Sequence, residues 1–259
     1  MNIATLETRV RFDRSLAPGS DHEHRTLDQV QDVIGRLAPA WSVGARVCGT
    51  ADHTPVRLED PGSLAAIVES RTRADFGFHD GAVELRGATR EIVVHVRVHD
   101  HPVRAVDGRL PMPNGVTIQF PRRCVEGRRA TEFALDLLHG LTATRPLWGA
   151  VHTDEEYTAR GGEPDFGRCL PGLFAVNYLD ERYVDLVGAD RFGGLEGLRW
   201  TESGLVLPVA DPIRWETCAG SYESVFDALG RSLFFDPARP DAPTIAPVWK
   251  RPNSRSGRH

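Results

Sequence analysis

The chain has 259 residues, 41% of them apolar and 26% charged, with a formal net charge of −5. That length and balance suit one large domain or two small ones with ample core, and exclude a low-complexity protein. No apolar run approaches the roughly 18 residues that a membrane-spanning helix needs.

The charge is unevenly distributed. Residues 1–149 carry 19 basic and 19 acidic side chains, residues 150–228 carry 6 and 15, and residues 229–259 carry 6 and 2. The acidic stretch disfavours nucleic acid as a ligand and favours a basic protein partner. Lys250 is the single lysine and sits in a proline-rich tail, so Schiff-base, P-loop and E-x-K nuclease chemistry lack their cation. Cys48, Cys124, Cys169 and Cys218 are scattered with no CxxC pair, which reads as reduced thiols and neither a disulfide framework nor a zinc site. The N-terminal residues show no signal-peptide pattern, so a cytoplasmic protein is expected.

In chain order, Leu6, Thr8, Val10 and Phe12 alternate with Glu7, Arg9 and Arg11, the mark of a strand with one face on the core. Thr26 and Gln29 stand at capping-box spacing ahead of Leu27, Val30, Ile34 and Leu37, which predicts an amphipathic helix over 27–37. A strand follows at 41–48, then a helix opened by Asp60-Pro61 and running to about Arg71. Asp80-Gly81 predicts a hairpin between 75–79 and 82–86. The run EIVVHVRVHD at 91–100 is the strongest strand, and another covers 116–120. A helix over 126–142 buries Phe133, Leu137, Leu138 and Leu141; a short strand spans 147–152, and 153–167 reads as a long surface loop.

The stretch RCLPGLFAVNYLDERYVDLVG at 168–188 combines a Pro-Gly turn, an apolar strand at 173–178, a helix at 182–187 and Gly188 at its C-terminal stop. A strand at 205–209 and a last helix capped by Ser221 complete the pattern. The fold class expected is α+β, with a mixed or antiparallel sheet packed by several amphipathic helices. Two halves, 1–125 and 126–249, form one compact unit, and 250–259 is a basic, disordered tail.

Candidate chemistry is sparse. His95, His99 and His101 share one strand face with Arg97, but His95 and His99 stand about 13 Å apart and cannot share a metal. His99 and His101 could, with His152 or Asp154, form a metal site and so a metal-dependent hydrolase. No GxSxG elbow, GxGxxG or GxxxxGK[ST] loop is present, so no cofactor is expected. Asp154, Glu155 and Glu156 follow a strand and read as a charged contact surface. The aromatic residues Trp148, Phe174, Tyr178, Tyr183 and Phe192 read as core. Trp200 and Trp215 lie in polar segments and read as anchors of a recognition surface.

The pattern RPLWGAVHTDEEY, LPGLFAVNYLDERYVDLVG and GLVLPVADPIRW, over residues 145–236, resembles bacterial α+β proteins encoded beside secreted polymorphic or type VI toxins and assigned as their immunity proteins. The resemblance implies a cytoplasmic inhibitor that binds a toxin stoichiometrically and carries no catalytic residues. Beside it, the residues predict an acidic face of Asp154, Glu155, Glu156, Asp180, Glu181 and Asp185, with Trp200 and Trp215, meeting a cognate basic toxin. No nucleic acid, membrane or metal is expected to bind in that reading, and the hydrolase is its alternative.

Overall fold

The structure, a computed structural model, describes residues 5–12, 21–37, 45–48, 55–56, 62–76, 81–86, 93–98, 114–121, 130–162, 170 and 172–238. Among the described residues there are ten strands: β1 (Thr5–Phe12), β2 (Ala45–Cys48), β3 (Pro55–Val56), β4 (Gly81–Arg86), β5 (Val93–Val98), β6 (Asn114–Pro121), β7 (Trp148–Thr153), β8 (Val176–Asp180), β9 (Arg199–Thr201) and β10 (Gly204–Pro208). They form one sheet in the order β3-β2-β4-β5-β6-β1-β7-β8-β10-β9, and every pairing is antiparallel. The helices are α1 (Asp21–Leu37), α2 (Ser63–Phe76), α3 (Ala130–Thr142), α4 (Asp154–Ala159), α5 (Glu181–Val187) and α6 (Ala219–Leu229). The fold is α+β.

Alternation along the strands divides the apolar residues between two cores. On one face Leu6, Val10 and Phe12 of β1 join Val94, Val96, Val116 and Ile118 under α1, α2 and α3. The predicted stripe Phe133, Leu137, Leu138 and Leu141 of α3 is fully used there. On the other face Trp148, Leu179, Leu205 and Leu207 lie under α5, α6 and the segment around Phe174. That second core covers β7, β8 and β10, and none of its residues comes from β5, β6 or β1. The sheet is therefore covered on both faces over residues 130–238, whereas the same face over β1, β5 and β6 carries polar side chains.

Several boundaries differ from the sequence pattern. Helix α1 begins at Asp21, so Thr26 and Gln29 fall inside it; the first turn is charged, and apolar periodicity detects only the part that packs. Asp75 and Phe76 end α2 and do not begin a hairpin; Gly81 opens β4, whose partners are β2 and β5. The predicted loop after residue 152 contains α4, capped by the Thr153 side chain, which accepts from the Glu156 backbone N–H at 3.2 Å. Ser221 lies inside α6, which starts at Ala219 directly after a turn of 3-10 helix at Trp215–Cys218.

The central stretch behaves much as its pattern suggests. The strand is Val176–Asp180, slightly later than predicted, because Asn177 holds Leu173–Ala175 in a turn: its amide accepts from Phe174 N–H at 2.8 Å and donates to Phe174 O at 2.7 Å. Helix α5 ends at Gly188, whose φ of 96° suits a residue without Cβ.

Gly204 closes the tightest approach in the sheet. Its φ is 155°, and a Cβ there would stand 2.1 Å from the Leu179 carbonyl oxygen, a backbone atom that cannot move aside cheaply. Gly204→Ala should lower unfolding stability by about 3 kcal/mol in urea titrations. Gly220→Ala, on an α6 position with nothing within 4 Å, should change it by less than about 1 kcal/mol.

Candidate functional site

The register of β7 against β8 decides which of the predicted surface residues can act together. Trp148 pairs with Leu179 and Val151 with Val176, so β7 ends beside the start of β8. Asp154 and Glu155, which open α4, thus lie at the opposite end of this strand pair from Glu181, which opens α5. The single acidic face expected from the sequence is two separate patches.

Two of its members leave the surface altogether. Asp180 is 5% exposed and caps α5, accepting from the backbone N–H groups of Arg182 and Tyr183 at 3.1 and 3.2 Å. Its other oxygen accepts from Arg182 Nε at 2.5 Å. A carboxylate following a strand and preceding a helix is taken up by the helix N-terminus, where the unpaired N–H groups are. Glu156 is fully buried, because the third residue after the Thr153 cap turns inward to α6. The T-x-x-E spacing of Thr153 and Glu156 was the sequence signal for that burial.

Around Glu156 stands a compact polar cluster. The Tyr222 hydroxyl donates to Oε1 at 2.6 Å, and Arg160, one turn along α4, places Nε 3.3 Å from the same oxygen. The Arg160 guanidinium also lies 3.6 Å from the centroid of the Tyr222 ring. Burial pushes the Glu156 carboxyl up to about 7, against the lowering effects of the Tyr222 hydrogen bond, the Arg160 charge and the Ala175 backbone. Burial and the neighbouring carboxylate hold the Tyr222 hydroxyl protonated far above its ordinary range, so it is a permanent donor. Trp215 sits at the rim of this cluster, 6.0 Å from Arg160 and only partly exposed.

His152, a candidate metal ligand, is fully buried. Its Nδ1 donates to the Thr153 carbonyl at 3.0 Å, and its ring stacks on Tyr157 at 4.9 Å and tilts against Phe174 at 5.0 Å. Asp154 is exposed. His99 and His101 lie outside the described residues. Among the described residues no group of three or more His, Cys, Asp and Glu side chains is placed to hold a metal ion.

The other end of β7–β8 carries the exposed features. Trp200 of β9 is 56% exposed, and no other large apolar side chain among the described residues is exposed. Its ring stands edge-on to the buried Phe192, at 6.4 Å and 76°, which fixes it from below. Among the described residues β9 lies at the edge of the sheet, paired with β10. Beside it, Ser203 O accepts from the Glu181 backbone N–H at 3.0 Å, which ties the β9–β10 turn to α5. Glu181, Glu202, Arg145 and Arg182 line a cleft there of about 320 Å³. Asp185, Asp190 and Glu196 are also exposed on the elements that follow. Glu202, which the sequence did not single out, belongs to this patch because the hairpin turn brings it to the α5 N-terminus.

No family model matches the chain, and no curated protein matches it in sequence. Among solved structures, a Pseudomonas aeruginosa T6SS (type VI secretion system) protein is similar, with a TM-score of 0.58 at 11% identity. The match covers 87% of this chain and 72% of that one. At such low identity it shows a shared fold. No helix among the described residues is long and apolar enough to cross a membrane.

Glu156 gives the second core a pH dependence of definite sign. The folded carboxyl, near 7, keeps a proton that an ordinary carboxyl near 4.5 releases on unfolding. Its contribution is therefore full below about pH 4.5 and is lost as the pH rises through 7, by roughly 3 kcal/mol at 1.36 kcal/mol per unit. Glu156→Gln cannot titrate, so its unfolding free energy relative to the unmodified protein should rise by a few kcal/mol between pH 5 and 7.5. Urea titrations at the two pH values check this, and an unchanged difference would exclude it.

Proposed function

We propose that the protein is a cytoplasmic, immunity-type binding protein of a type VI or related secretion system, which neutralises a cognate basic toxin by stoichiometric binding. The observation that carries this reading is Trp200. A tryptophan exposed to 56%, braced by Phe192 and carried by a strand at the end of the sheet order, has the character of a partner anchor. Around it Glu181, Asp185 and Glu202 offer negative charge to a basic surface, which speeds encounter and discriminates against acidic competitors. The likeness to a Pseudomonas aeruginosa T6SS protein supports the secretion-system setting. Asp154, Glu155 and Trp215, at the far end of β7–β8, are not part of this contact.

A pull-down from the native host should recover one neighbouring-gene product at near-equal stoichiometry, and co-expression should protect a host from the toxicity of that product. Failure of both protection and co-purification would remove the reading. Within the complex, Trp200→Ala should weaken affinity by about 2–4 kcal/mol while leaving the unfolding midpoint almost unchanged, since the side chain is largely exposed. Joint Glu181→Lys and Asp185→Lys should act chiefly on the association rate, with a deficit that shrinks as salt is raised.

A further inference from the structure

Beside the Glu156 cluster, and apart from Trp200, a pocket of about 250 Å³ opens between the end of α4, the Gly172-Leu173 turn, α6 and the segment after it. Much of its lining is aromatic. The 3-10 turn ahead of α6 brings in Trp215, and α6 itself contributes Phe226. Phe235 and Pro237 complete the apolar wall, with the Phe235 N–H anchored on the Leu170 carbonyl at 2.9 Å. Gly161 lets that wall close on α4, since a Cβ there would stand 2.8 Å from the Phe235 ring and 3.0 Å from Pro237. The volume falls below the roughly 300 Å³ at which sites for drug-sized ligands begin, so it suits a group the size of one amino-acid residue.

Four charged side chains line this pocket, and three of them are already engaged. Glu223 is paired with Arg231, which also stands 3.9 Å from Asp227 and 5.0 Å from the centroid of the Phe226 ring. Asp236 accepts from the Ala238 N–H at 3.0 Å. Arg160 differs. Its guanidinium lies on the Tyr222 ring, and its Nε is turned to Glu156 Oε1 at 3.3 Å. Beyond Glu156 and Tyr222 it has no polar partner among the described residues, and its side chain is 20% exposed. Burial keeps Glu156 protonated up to about pH 7, so below that pH the Arg160 charge is largely uncompensated. The unspent charge of the pocket is therefore positive, and it stands against aromatic rings.

We propose that this pocket binds a single carboxylate carried on a flat apolar group, the chemistry of an aromatic amino acid or of a peptide ending in one. The terminal nitrogens of the Arg160 fork meet the carboxylate, whose planar geometry they match. Trp215 and Phe226 offer their rings to the apolar group. A phosphate, with its higher negative charge, is opposed by Glu223 and Asp236, and a cation finds both of those carboxylates engaged.

Isothermal titration of the full chain with N-acetyl-L-phenylalanine, at about pH 6 and fixed ionic strength, tests the inference. One saturable site is expected. N-acetyl-L-phenylalaninamide, the same group without the charge, should bind at least tenfold more weakly. Arg160→Gln and Trp215→Ala should each weaken binding of the acid at least tenfold, with circular dichroism verifying the fold. Trp215→Ala leaves the bond between Glu156 and Tyr222 in place, so it decides the matter even if Arg160→Gln fails to fold. A parallel titration with L-phenylalanine separates the sources: tighter binding identifies a free amino acid, and equal or weaker binding identifies a peptide C-terminus. No saturable heat, an amide that binds as tightly as the acid, or a folded Arg160→Gln or Trp215→Ala protein that binds unchanged would each overturn it. Trp200→Ala should bind the probe unchanged, so this site and the toxin contact stand or fall separately.

Discussion

Strand β1 is the element whose pairing everything else requires. It lies between β6 and β7, so it joins the polar-faced part of the sheet to the part covered on both sides. Val10 and Phe12 point into the core beneath the long helices, while Arg9 and Arg11 line a polar cleft on the reverse. A slip of one residue would exchange the two sets, burying guanidinium groups among Val94, Val116 and Ile118. The burial of a whole apolar face therefore holds the arginines in place. Arg9 then carries the order across to α4 through its contact with Tyr157, which in turn stacks on His152.

The layer over β7, β8 and β10 is organised differently, around a carboxyl group that has been taken out of water. Glu156 connects α4 to α6 through Tyr222, and Arg160 supplies a partly compensating charge. Desolvation outweighs those partners, as the upward shift of the carboxyl shows. The cluster is thus a fastening between two short helices whose strength varies with proton concentration near neutrality. It stands at the far end of the strand pair from Trp200. The two ends of the second layer thus differ: one holds the layer down, and the other leaves Trp200 exposed.

Much of this was legible in the sequence. The α+β class, the alternation in 5–12 and 91–100, the stripe of α3 and the strand-helix-glycine order of 168–188 all follow from periodicity and turn chemistry. The exposure of Trp200 was legible because it stands in a polar segment. The acidic face was not, since a count of carboxylates cannot tell an exposed group from a helix cap such as Asp180 or an inward third residue such as Glu156. The arrangement across β6 was also hidden: Gly115 looks like an ordinary strand residue until the register sets Arg11 on one side of it and Arg97 on the other. Sequence shows which face of a strand a residue occupies, and only pairing shows what stands beside it.

The long sequence separation between β1 and both of its partners also governs the order in which the molecule can be assembled. Thr5–Phe12 is made well before its neighbours Asn114–Pro121 and Trp148–Thr153. Until they appear, an alternating strand with both edges open must wait, and contacts of such long sequence separation close slowly. The nascent chain therefore passes through a period in which this unpaired strand is available to chaperones. A truncation that stops short of β7 should leave that segment unprotected, whatever helices have formed by then.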